Sequence, residues 1–136
     1  PPLTASQVLA WQGSNVDPAD LSDWISNFKS GRTTLYSTGG TEVIVSEGHA
    51  KYVGDVLDCV DTAVADLAEV DVPLSYVVGH SLGGAAAAVY SALRDSPAIH
   101  GTHTFGGPLS RYDVSCSVPG RRYYHAEDPT PQVDNQ

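Results

Sequence analysis

The chain has 136 residues, 41% of them hydrophobic and 17% charged, which is the make-up of a folded protein of one domain. A formal net charge of −9 repels phosphate backbones and anionic headgroups; it argues against a nucleic-acid partner and leaves contact with neutral lipid open. No apolar run reaches the ~20 residues that cross a bilayer, and the start lacks a secretory hydrophobic segment.

Taken in order, Val8 to Trp11 is a short apolar run ending at Gly13 and reads as a buried strand. Asp17-Pro18-Ala19-Asp20 has the marks of a helix start: a capping carboxylate, proline at the first helical position and an acid near the positive end of the dipole. Leu21, Trp24, Ile25 and Phe28 follow at helical spacing, and Gly31 stops them. Thr33 to Tyr36 and Glu42 to Val45 read as strands around a Gly39-Gly40 turn. A long helix is then expected. Val53, Val56, Leu57, Val60, Val64 and Leu67 form one stripe, with Asp55, Asp58, Asp66 and Glu69 opposite. Beyond Pro73 comes the strand Leu74 to Val78, then an Ala-rich helix from Leu82 to Leu93 ended by Asp95-Ser96-Pro97. Strands at Ile99 to Phe105 and Arg121 to His125 complete the series. Strands alternating with helices predict an α/β fold: a mostly parallel sheet flanked by helices, because parallel neighbours need a crossover. No repeat or linker divides residues 1–136, so a single domain is expected. Cys59 and Cys116 fit either two thiols or one disulfide, and their separation fits no zinc pattern.

Gly79-His80-Ser81-Leu82-Gly83-Gly84 contains G-x-S-x-G between an apolar strand and a helix, the setting that this motif requires. A serine on so sharp a turn needs small neighbours, and Gly79 and Gly83 supply them. Ser81 is then lifted to the C-terminal edge of the sheet as a nucleophile. The Leu82 N–H points to where a carbonyl oxyanion would form, aided by the helix dipole.

That hexapeptide resembles the nucleophile elbow of the class 3 (fungal-type) lipase family of α/β-hydrolases. Trp11-Gln12-Gly13-Ser14 with Asp23-Trp24-Ile25-Ser26-Asn27, Thr104-Phe105-Gly106-Gly107-Pro108 and His125-Ala126-Glu127-Asp128-Pro129-Thr130-Pro131 resemble three further segments of the family, in the right order. The resemblance implies an α/β-hydrolase fold, Ser81 as nucleophile, Asp128 as the acid that orients a histidine, and an oxyanion hole of Ser14 and the Leu82 N–H. Gln12 stands where arginine is usual, so the contact that fixes that loop differs, and Thr130 replaces a common valine.

Acyl transfer by serine needs a general base, and in this fold the base follows the acid in sequence. None of Pro129 to Gln136 is histidine. His80, inside the elbow, is expected to pack or bond below the turn; His49 to lie on the surface or in a loop; His100 and His103 to occupy opposite faces of one strand. His125 precedes Asp128 on the same strand end, which makes the geometry awkward. The expectation is a base beyond Gln136, or on a second chain, with the domain truncated at its C-terminal side. The chain starts Pro1-Pro2 and has no methionine, as a processed form or an excerpt would.

The reading is a carboxylic-ester hydrolase, a lipase or esterase, with neutral lipid or another ester as substrate and neither metal nor organic cofactor. The resemblance further implies secretion, a place in lipid metabolism, and a lid over the pocket. Leu21, Trp24, Ile25 and Phe28 would form that lid, touching a lipid interface on opening. A four-member stripe also suits a helix fixed on the sheet. The competing class is an inactive hydrolase-fold binding domain. A feruloyl-type esterase would use the same residues in a differently shaped pocket.

Overall fold

The computed structural model describes residues 4–13, 17, 31–108 and 118–128. The elements are β1 (Gln7–Trp11), β2 (Arg32–Tyr36), β3 (Glu42–Ser46), α1 (Glu47–Gly54), α2 (Leu57–Ala68), β4 (Leu74–His80), α3 (Leu82–Arg94), β5 (Gly101–Phe105) and β6 (Gly120–Tyr123). Strands β1, β4, β5 and β6 lie side by side in that order, all parallel. β2 and β3 form a separate antiparallel hairpin. This is the mostly parallel α/β sheet that the alternation of strands and helices predicts.

Alternation along the strands aims Trp11, Val77, Thr102 and Thr104 at α3, and all four are buried. Ala85, Ala86, Ala87 and Val89 of α3 have no exposed surface, and Tyr90 has almost none. A helix of such small side chains can press against three strands at once, which is why it sits at the centre. Val43 and Val45 of the hairpin and Val53 of α1 join Trp11, Val77, Val89, Tyr90 and Ile99 in one core. On the other face of the sheet Val8, Tyr76, Phe105 and Tyr123 are exposed, and the Phe105 and Tyr123 rings stack at 5.0 Å.

Three expectations need correction. The long helix is two helices. After Gly54 the chain turns through Asp55 and Val56, and Val56 has φ −120°, ψ 1°, outside the helical region. Glycine is a poor helix former and Val56 is β-branched, so the stripe breaks where local propensity is weakest. Of that stripe only Val53 is fully buried, while Val56 and Leu67 are exposed. Next, His49 is not at the surface. It lies in the first turn of α1 with no exposure, its Nδ1 2.6 Å from Oγ of Ser46, the residue that caps the helix. Finally, β5 begins at Gly101 and β6 ends at Tyr123, so His100 and His125 lie outside the strands. Cys59 is exposed on α2, and Cys116 lies outside the described residues. No described helix is long and apolar enough to cross a membrane.

Candidate active site

Ser81 occupies the one-residue corner between β4 and α3, at φ 54° and ψ −125°. An L-residue rarely adopts this backbone, and the surroundings hold it there. Its N–H donates to the Phe105 carbonyl at 2.9 Å, and its own carbonyl accepts from the Gly84 N–H at 2.9 Å. The corner is tight enough to dictate glycine on both sides. A Cβ on Gly79 would lie 2.0 Å from the Gly83 carbonyl oxygen, and one on Gly83 would lie 2.1 Å from the Trp11 carbonyl oxygen. Both are impossible contacts, so G-x-S-x-G follows from steric exclusion at this crossing.

The helix starting here leaves its first N–H groups without intrahelical acceptors. Among the described residues no backbone carbonyl accepts the Leu82 N–H. That donor and the positive end of α3 lie next to the Ser81 side chain.

The Ser81 hydroxyl departs from expectation in one respect. It reaches the sheet edge but is covered: the residue is 4% exposed, and Oγ is buried with no hydrogen-bond partner among the described residues. Gly13 contributes to the cover, since a Cβ there would lie 3.4 Å from Ser81 Cβ and 2.7 Å from the His80 carbonyl oxygen. The Tyr52 hydroxyl donates to the Gln12 carbonyl at 3.0 Å and ties down the loop where Gln12 stands in place of arginine. A buried hydroxyl without a partner is disfavoured, so the hydroxyl has an unmet demand for an acceptor.

Asp128 comes to the same edge. The ladder from β5 continues as Gly106 N–H to the Tyr123 carbonyl, 2.7 Å, and a turn closed by Asp128 N–H to the His125 carbonyl, 3.0 Å, brings the carboxylate back. One Asp128 carboxylate oxygen, Oδ2, lies 2.9 Å from where a Cβ on Gly106 would be. Gly106 has φ +57°. Glycine at 106 therefore serves twice, in its backbone angle and in the room it leaves for the acid. Gly107 does the same for α3, since a Cβ there would meet Gly84 Cα at 3.1 Å. Sequence reasoning assigned no role to Gly13, Gly106 or Gly107. Their signal was the small residues inside the segments that carry the family resemblance.

The histidines do not supply a base to Ser81. His80 is exposed rather than packed beneath the turn, and its Nε2 lies 3.8 Å from the same Gly106 Cβ position. His103 stacks on Tyr123 at 5.9 Å. His49 is held by Ser46, and the Nδ1 of His125 accepts from the Glu127 N–H at 3.3 Å. Among the described residues no group of three or more His, Cys, Asp or Glu could hold a metal ion. Ser14 and the candidate lid residues Leu21, Trp24, Ile25 and Phe28 lie outside the described residues.

No curated protein matches the chain. A fungal lipase solved as an inhibitor complex shares the fold, with a TM-score of 0.64 and 22% identity. The alignment covers 90% of this chain and 49% of that one, so the chain spans about half the length of the lipase that it matches. The class 3 lipase family profile matches residues 8–133. The strained Ser81 corner, the glycines around it and a family match across nearly the whole length lead to one assignment: the chain belongs to the class 3 lipase family.

Proposed function

We propose that the chain is the nucleophile-bearing part of a carboxylic-ester hydrolase, a lipase or esterase acting on neutral esters. The observation that carries this reading is the Ser81 hydroxyl, buried without a partner among the described residues in a strained corner beside the Leu82 N–H. Ser81 Oγ adds to the ester carbonyl while its proton passes to a histidine that Asp128 orients. The Leu82 N–H, with Ser14, stabilises the oxyanion. The alkoxide leaves with that proton, and water then splits the acyl-serine by the same route. None of the described histidines meets the Ser81 hydroxyl, and in this reading the histidine is contributed by polypeptide outside residues 1–136 or by a second chain. Ester access requires movement of the cover over Oγ, consistent with a lid at Leu21 to Phe28 that opens at a lipid interface. Secretion and a role in lipid metabolism belong to the same reading.

A hydroxyl without a partner among the described residues also suits a binding domain that has lost catalysis. Fluorophosphonate labelling of the protein at its natural length separates the two readings, since only an activated serine reacts. Labelling that Ser81→Ala abolishes is expected. Absence of labelling in the wild-type protein overturns the enzyme reading in favour of the binding domain.

A further inference from the structure

At the opposite edge of the sheet from Ser81, a cleft of about 680 Å³ lies between α2, the end of α3 and the start of β4. Val64, Ala65, Ala68, Leu74, Pro97 and Ile99 give it apolar walls. A smaller depression of about 510 Å³ shares Pro97 and Ile99 with it and continues to His100 and Pro119. Together they suit an extended molecule better than a compact one.

One polar cluster also lines the cleft. Arg94 Nη2 is 2.9 Å from Asp61 Oδ2 and Nη1 donates to Thr38 Oγ1 at 3.3 Å, while the Tyr90 hydroxyl donates to Asp61 Oδ1 at 3.3 Å. The Arg94 Nε–H is buried without an acceptor among the described residues. That nitrogen is enclosed, but a guanidinium has five N–H donors and the Arg94 side chain is 29% exposed, so an Nη N–H beyond those on Asp61 and Thr38 is left for an acceptor in the cleft. Asp95 is a second carboxylate on the lining. Two acids against one guanidinium, in a chain of net charge −9, disfavour an anion. The apolar walls favour a hydrocarbon chain, and the guanidinium favours a neutral acceptor.

We propose that this cleft is a second, non-catalytic binding site for a neutral molecule with an extended apolar chain and one carbonyl oxygen, the oxygen accepting from the Arg94 guanidinium. The proposal stands apart from the chemistry at Ser81, because the two sites lie at opposite ends of β4 and α3. The probe is 2-undecanone, neutral, acceptor-bearing and not hydrolysable, titrated into the natural-length protein and followed by NMR. Undecane lacks the acceptor and undecanoate carries a charge. Resonances of Ala65, Ala68 and Ile99 are expected to shift, with the ketone binding several-fold tighter than undecane and undecanoate weakest. Ala68→Trp, at an exposed helical position, fills the cleft and is expected to weaken ketone binding by about tenfold. Arg94→Lys keeps the charge, loses the fork of donors, and is expected to remove the preference for ketone over undecane. Shifts centred on Ser81, affinity unchanged in Ala68→Trp, or undecanoate binding as tightly as the ketone would each overturn the proposal.

Discussion

At the scale of single residues, Ser81 combines two unfavourable features: a backbone angle that L-residues avoid and a buried hydroxyl without an acceptor among the described residues. Each is disfavoured by a free energy on the order of 1–3 kcal/mol, and both persist because the glycine contacts around them permit no other path. Ser81→Gly removes both at once. It is expected to raise the unfolding free energy by about 1–2 kcal/mol, read from urea denaturation, while abolishing fluorophosphonate labelling. A drop in stability would mean that the corner is not strained. Gly79 and Gly83 were both marked by the G-x-S-x-G pattern, but only the constraint on Gly79 is local, its Cβ meeting the Gly83 carbonyl; at Gly83 the Cβ is excluded by the Trp11 carbonyl on the neighbouring strand.

At the scale of elements, the break between α1 and α2 shows how periodicity misleads. The apolar stripe continues in phase through Val53, Val56 and Leu57, yet the backbone leaves the helix at Val56. Each half has its own purpose. α1 buries His49 and Val53 against α3 and the hairpin, whereas α2 buries no residue fully and presents Leu57, Val60 and Val64 half-buried to the core. Gly54 lies in the last turn of α1, has an ordinary backbone angle, and a Cβ there would meet nothing within 4 Å. Gly54→Ala is therefore expected to stabilise the protein by about 0.5–1 kcal/mol, measured as a shift in urea midpoint at constant slope. No gain would indicate that the break needs glycine at that position.

At the scale of the whole molecule, α2 and α3 are joined across the core by Tyr90, Asp61 and Arg94. Burial, followed by the nearby Asp61 carboxylate and its hydrogen bond, raises the Tyr90 pKa from 10.0 to about 12. The protonated phenol is thus favoured in the folded state. Its contribution is fully present below pH 10, the unfolded value, and is lost as pH rises through about 12. Ultraviolet titration is expected to show an ionisation near pH 12 that Tyr90→Phe removes. Urea stability should fall more steeply between pH 10 and 12 in the wild-type protein than in Tyr90→Phe. Equal slopes would show that Tyr90 is not shifted.

The sequence by itself determined the parallel α/β sheet, the position of Ser81 between β4 and α3, and membership of a hydrolase family. Those depend on local signals: apolar runs of strand length, small residues at fixed offsets, and short segments in order. Only the tertiary structure decided that His49 is buried, that the hydroxyl of Ser81 is covered, and that Gly106 makes room for Asp128. These follow from what the chain brings together across tens of residues. A histidine looks the same in sequence whether Ser46 caps its helix in the core or solvent surrounds it. Likewise, the pairing of β5 with β6 is what returns Asp128 to the edge where Ser81 stands, and spacing along the chain carries no record of that pairing.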